Sequence, residues 1–442
     1  MTSATTGPDA PVRTGFGGYR TLLSDRAALA FTVAGFVARL PVSMTGLSIV
    51  LLISLMTGSY GQAGIVTACA TLVGAVAAPW WGRRIDRIGQ ARALVIAALI
   101  CNLSLALLLI TVMLRLPLPV TCLAAVGVGL GYPSAGSAVR ARWSYRLQKS
   151  PLLSTAFAFE AVVDEVVFIV GPVLATFLAT SVHPALGLIA CVVLGLVGAI
   201  ALAVQRGTEP PVADPSEQAG PRPRLSAARL VPVVLGCAAL GMLFGGMEVL
   251  IVAFAEAAGV LSFAGLIMMA WSSGSLISGV ITGTIVWRIS PARRFRIGAV
   301  LLAASMVPLI FVQQPLAVAL LLVLSGLAIA PTLIATVAVT QEAVPASRLT
   351  EALGWTSTGI AAGIAAGAAG LGQLIDHFGA PAGFWGAVGI GVLLVLSALF
   401  VRDFSAPTEA TMIKDAEINE TSAAPDPNAT EPRPDSADPA ER

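Results

Sequence analysis

Apolar runs of about twenty residues recur along this chain, and that repetition restricts the fold more than any single motif. The hydrocarbon core of a bilayer is roughly 30 Å thick, so a helix crossing it needs about 20 mostly apolar residues. Hydropathy places such spans near 27–55, 61–81, 93–114, 117–139, 152–181, 184–204, 230–255, 260–286, 297–312, 316–341, 350–375 and 381–401. The ninth is short and starts inside the basic stretch before it. The runs are too long for strands and lack the two-residue alternation of an outer-membrane barrel. Of 442 residues, 56% are hydrophobic and 11% charged, which excludes an ordinary soluble protein. The expected fold is an all-α membrane protein of twelve transmembrane helices in two six-helix bundles.

Charge fixes the expected orientation. Loops on the cytoplasmic side collect Lys and Arg. With the N-terminus inside, 24 of the 26 basic residues fall on the cytoplasmic side, the exceptions being Arg115 on an outer loop and Arg39 within the first span. Both termini are therefore expected inside, in a bacterial inner membrane. Residues 1–26 lack the apolar core and cleavage site of a signal peptide and read as a cytoplasmic lead-in. Residues 206–228 are Pro-rich and polar, and divide a first bundle (27–205) from a second (229–402) as a cytoplasmic linker. Residues 403–442 read as a disordered acidic tail.

Between the second and third spans the chain reads GRRIDRIGQARAL. Gly82 and Gly89 permit a tight backbone path, and Asp86 stands beside Arg84 and Arg87, with Arg92 further on. An acid here is suited to the positive N-terminal end of a neighbouring helix. The basic loop WRISPARRFRIG occupies the matching place in the second half. With the 6+6 layout, the stretch resembles the signature of the major facilitator superfamily, roughly G-x-x-x-D-R-x-G-R-[RK]-x-x-L. Gly82, Asp86, Arg87, Gly89 and Leu94 match; Gln90 and Ala91 replace two basic positions. The resemblance implies a secondary transporter working by alternating access, similar to bacterial drug-efflux members, with this loop bracing the halves when the transporter faces outward. VFIVGPVLAT in the fifth span is similar, through Gly171 and Pro172, to a motif of drug–proton antiporters, where Pro bends the helix and Gly admits a neighbour.

Three acids, Glu160, Asp164 and Glu165, interrupt the fifth span in FEAVVDEVVFIVGP. An ionised group in lipid costs at least ~2.5–3.5 kcal/mol, so these acids must face protein or water. Glu160 and Asp164, four apart, share a face; Glu165 is turned about 100° away. Arg39 lies about 12 residues, roughly 18 Å, into its span, and Asp164 at a similar depth. Arg39 is expected to pair with Asp164 or Glu160 near the midplane. One arginine cannot neutralise three acids, so at least one carboxyl is expected to carry a proton, as coupling requires. Glu248 in the seventh span, Tyr132 and Pro133 in the fourth, and Thr332, Thr336 and Thr340 in the tenth are candidates for a central substrate or proton pathway; threonines so spaced also bond back to their own helix. Gly359, Gly363 and Gly367 read as a small packing face.

Neither lysine, Lys149 nor Lys414, ends a phosphate-cradling G-x-x-x-x-G-K-[ST] loop, which argues against an ATP-driven pump. His183 and His377 stand away from cysteine pairs, and the five cysteines lie in spans. No metal, no cofactor and no enzymatic activity is expected. The expectation is a monomeric, proton-coupled exporter of small amphipathic or hydrophobic compounds, with the lipid bilayer, a small-molecule substrate and protons as partners and no nucleic acid. An importer or uniporter of the same fold is the alternative.

Overall fold

The computed structural model describes residues 16–403, except 149, 151, 212–226, 285, 286, 288 and 345–347. The tail from 404 onward and most of the expected linker lie outside the described residues, as does the side chain of Asp86. Fifteen α-helices and no strand are found among the described residues.

A short helix α1 (Phe16–Ser24) precedes α2 (Arg26–Thr57), α3 (Tyr60–Ile88) and α4 (Gln90–Met113). Then come α5 (Leu118–Leu130), α6 (Ala135–Arg146), α7 (Leu152–Ser181) and α8 (Leu186–Val204). The second half holds α9 (Ala227–Ala257), α10 (Ala264–Thr284), α11 (Pro291–Met306), α12 (Pro315–Gly326), α13 (Ile329–Ala343), α14 (Leu349–Phe378) and α15 (Ala380–Leu399). Eleven segments are long and apolar enough to cross a membrane. The twelfth span is α11, which starts at Pro291 in the basic stretch and is prolonged by a turn of 3₁₀-helix, Val307–Ile310. The rim at which α2 starts is termed the near rim, the opposite one the far rim.

Two spans that read as continuous are broken. The fourth splits into α5 and α6 around residues 131–134, and the tenth into α12 and α13 around 327–328. They hold corresponding places in the two halves. A helix broken within lipid must have its freed backbone groups satisfied by neighbours. At the first break Trp81 Nε1 donates to the Leu130 carbonyl (2.7 Å). At the second, Thr332 Oγ1 donates to the Ala328 carbonyl (2.6 Å), and Trp271 Nε1 reaches Ser325 Oγ (3.4 Å).

The loop expected between the second and third spans is almost absent. α3 runs on through Gly82 to Ile88, and one residue, Gly89 at φ 85°, joins it to α4. A side chain there would be strained, so glycine is required. Gly82 is not part of a turn; it sits within α3 with nothing within 4 Å of where a side chain would start. The expected linker begins in ordered form: Arg206–Thr208 is a 3₁₀ turn, and Glu209 accepts from the Ala91 backbone N–H (3.1 Å) at the start of α4. Gly359, Gly363 and Gly367 pack against α9 at Val234, Ala238 and Met242, the close approach that small residues allow.

Candidate functional site

Arg39 is the hub of a buried charge cluster on α2, α6 and α7. Its side chain is 4% exposed. Nη1 bonds Asp164 Oδ1 (2.8 Å), Nη2 pairs with Glu160 Oε2 (2.7 Å), and Nε donates to the Gly35 carbonyl (3.1 Å). Glu160, fully buried, also accepts from Trp143 Nε1 (2.9 Å), and the Trp143 ring packs edge-on against Phe31. The i,i+4 spacing of Glu160 and Asp164 on α7 brings both carboxylates to one guanidinium.

One sequence expectation is corrected. The second oxygen of Asp164 is held by Arg140 of α6, so the cluster balances two acids with two arginines. The break before Ala135 restarts the helix and lets α6 bring Arg140 and Trp143 to the same spot. Arg39 and Asp164 both lie near the middle of their helices, and Arg140 reaches them from six residues before the end of α6 at Arg146. Glu165 is half-buried and makes no ion pair among the described residues.

Glu248 stands apart, on α9. It faces Gly46 of α2 across the boundary between the halves, where a methyl group on Gly46 would lie 2.6 Å from Glu248 Oε1. No arginine pairs with it among the described residues. Tyr132 lies in the break between α5 and α6. Tyr132 and Pro133 line a small cavity of about 20 Å³ with Thr45, Asn102, Cys101 and Cys191, enough for a single water.

Thr332, Thr336 and Thr340 do not form a stripe on that path. All three are buried, and each hydroxyl donates to its own helix, to Ala328, Leu333 and Thr336 respectively (2.6, 2.7 and 2.7 Å). Thr332 packs against Gly298 of α11. Pro172 lies inside the continuous α7, and Gly171 leaves room for Ser43, whose hydroxyl donates to the Val167 carbonyl (2.8 Å). Arg83, Arg87 and Arg92 are exposed, and the Arg84 guanidinium lies 5.3 Å over the Trp80 ring. Among the described residues no group of His, Cys, Asp or Glu is arranged to hold a metal ion.

Sequence reasoning missed Arg142. It is wholly buried at the near rim and donates to Gln90 Oε1 (3.1 Å), Thr208 Oγ1 (2.8 Å) and the carbonyls of Leu202 (2.9 Å) and Gln205 (3.2 Å). It ties α6, α4 and the end of α8 together. Gln90 occupies a position where the family signature is basic, and that departure was the only hint of a polar partner.

The halves meet through α3 with α14 and through α7 with α10. The close approaches lie toward the far rim, where Gly64 abuts the Ala368 carbonyl and Gly265 abuts Pro172 and Thr176. At the near rim Gly82 of α3 and Gly354 of α14 both face open space. Twelve spans in two halves, with a half-buried acid where the halves meet, are the architecture of a polytopic membrane transporter. A model of the Major Facilitator Superfamily matches residues 31–323 and 261–427, and the chain belongs to that superfamily. No curated protein sequence matches the chain.

Three solved structures share the fold. The nucleoside transporter NupG is 14% identical with a TM-score of 0.69, over 85% of this chain and 99% of that chain. The human organic anion transporter MFSD10 (TETRAN) is 14% identical with a TM-score of 0.56, over 86% and 100%. A bacterial homologue of the iron transporter ferroportin, in an inward-facing state, is 15% identical with a TM-score of 0.64, over 84% and 98%.

Proposed function

We propose that this chain is a proton-coupled exporter of small amphipathic or hydrophobic compounds. It alternates between states open at the near, cytoplasmic rim and at the far, external rim. Both termini are cytoplasmic, the membrane is a bacterial inner membrane, and the protein acts as a monomer. The spans offer few polar side chains with which to hold a sugar-like cargo, which favours hydrophobic compounds.

The observation that carries the coupling step is Glu248. It is an acid in mid-helix at the boundary of the halves, against Gly46 of α2, and no arginine neutralises it among the described residues. An unpaired carboxylate in a low-dielectric site is costly, so proton or substrate occupancy there is linked to the opening of the halves. Glu160 and Asp164 are already compensated by Arg39 and Arg140 and serve first as a structural joint. The gate residues Asp86 and Arg87, at the end of α3, brace the near rim when the far rim opens.

The test uses purified protein in liposomes loaded with a pH-sensitive dye, with amphipathic candidate compounds added outside. Wild type should move protons when substrate is present and Glu248→Gln should not. Substrate movement that ignores pH in both proteins would point to a uniporter.

A further inference from the structure

The motif that ends α3 recurs at the end of α14. Residues 82–89 read GRRIDRIG and residues 372–379 read GQLIDHFG. Gly82, Ile85, Asp86 and Gly89 correspond in register to Gly372, Ile375, Asp376 and Gly379, and an apolar residue precedes the last glycine in both. The backbones match as well. Gly89 has φ 85° and ψ 158°, Gly379 has φ 80° and ψ 172°, and each joins its helix to the next in a single residue. α3 and α14 are the middle members of three-span units that run in opposite senses, the relation an inverted repeat produces. One copy of the motif therefore sits at each rim.

At the far rim this second copy is engaged with the other half. Asp376 accepts from the backbone N–H groups of Tyr60 (2.7 Å) and Gly61 (2.8 Å) and from Ser59 Oγ (2.7 Å). Those amides open α3, where a helix has no acceptors of its own and where its dipole favours a negative charge. Ser59 is the N-cap of α3 and covers the Gln62 N–H. The carboxylate thus caps α3 from a helix more than 300 residues later. The surroundings permit nothing bulkier: Gly372 abuts the Tyr60 carbonyl, and Gly61 lies beneath Gln373. The Tyr60 hydroxyl bonds Glu256 in the last turn of α9, adding a second link between the halves.

We propose that Asp376 is the latch of the far rim. It holds that rim shut by capping α3 and must let go for the rim to open, while Asp86 takes the reciprocal part at the near rim. The inference rests on the alternating-access reading above and adds the residue that sets which side is open.

The test is hydrogen–deuterium exchange on the full chain in lipid nanodiscs, with no substrate and no pH gradient, so failure of proton coupling and failure of the latch are read separately. Asp376→Ala should speed exchange at residues 59–64. It should also slow exchange at 82–88 and 349–356 by closing the near rim. Loss of a cap of this kind shifts such an equilibrium roughly five- to thirtyfold. Asp376→Asn should give a smaller shift of the same sign. Should Asp376→Ala fail to fold, Ser59→Ala with Tyr60→Phe weakens the same latch from the other half and should shift both rims alike. Faster exchange at 59–64 with the near rim unchanged would overturn the proposal, leaving Asp376 a local cap. No change at either rim would overturn it too.

Discussion

On α2, α6 and α7 four charged side chains meet as two acids and two arginines; on α9 a single acid faces a glycine. Both regions set charge into apolar helices, buried at Arg39 and Glu160 in the first and half-buried at Glu248 in the second. In the first, Arg39 satisfies Glu160 and Asp164 together, and Arg140 and Trp143 take up remaining oxygens. In the second, Glu248 faces Gly46 and makes no ion pair among the described residues. A compensated cluster resists any change of protonation, because removing one charge strands the other. An uncompensated acid has no such restraint. The comparison separates a joint that holds helices together from a site able to exchange a proton or a ligand.

Substitutions at the two sites should fail in different ways. The largest effect is expected at Glu248: Glu248→Gln should abolish substrate-driven proton movement while leaving the melting temperature in detergent near that of wild type. At the cluster the order reverses. Arg39→Ala strands two acids and should destabilise the protein by about 3–5 kcal/mol, read as a large drop in thermal stability. Asp164 is about one-third exposed, and Asn keeps a hydrogen-bonding oxygen. Asp164→Asn should therefore cost about 1–3 kcal/mol and retain measurable proton movement. If Asp164→Asn abolished coupling without loss of stability, the roles assigned to the two regions would have to be exchanged.

A smaller effect is expected at the near rim. Asp25 caps α2 through the Ala27 N–H and pairs with Arg146 Nε (2.6 Å). Partial burial pushes its carboxyl up, but Arg146 and the backbone N–H groups outweigh that and hold it below the usual carboxylate value. A depressed acid lends stability above its unfolded-state value, and this is lost as pH falls through the lowered one. Arg146→Gln should therefore flatten the acid limb of thermal stability slightly, by under about 1 kcal/mol for a pair this exposed. The smallest change is expected for Thr332→Val. Its hydroxyl serves its own helix, so transport should stay close to wild type.

The spans were legible because the bilayer dictates both length and polarity, and each apolar run maps onto a helix or a broken pair of helices. The meeting of Arg39 with Glu160 and Asp164 was legible from the four-residue spacing and a comparable depth in two helices. Arg140 was not. Its place depends on the break at 131–134, and a hydropathy profile does not register where a helix stops and restarts inside an apolar run. The helical course of Gly82 was hidden because glycine near a basic stretch reads as a turn, yet only Gly89 has the positive φ. Thr332, Thr336 and Thr340 have the spacing of a polar face, but spacing does not tell whether a hydroxyl looks outward or back to a carbonyl. Arg142 looked like one more topology-setting cation, since its four acceptors come from two distant segments, Gln90 and the stretch 202–208. The capping of α3 by Asp376 joins residues too far apart for any local pattern to pair.

The central claim is that Glu248 exchanges a proton while the Arg39 cluster keeps its charges. Infrared difference spectroscopy of the protein in lipid, recorded between two pH values, reads carboxyl protonation directly. The account predicts a protonated-carboxyl band that responds to pH in wild type, persists in Asp164→Asn and is missing in Glu248→Gln. A band that survives in Glu248→Gln and disappears in Asp164→Asn would contradict it.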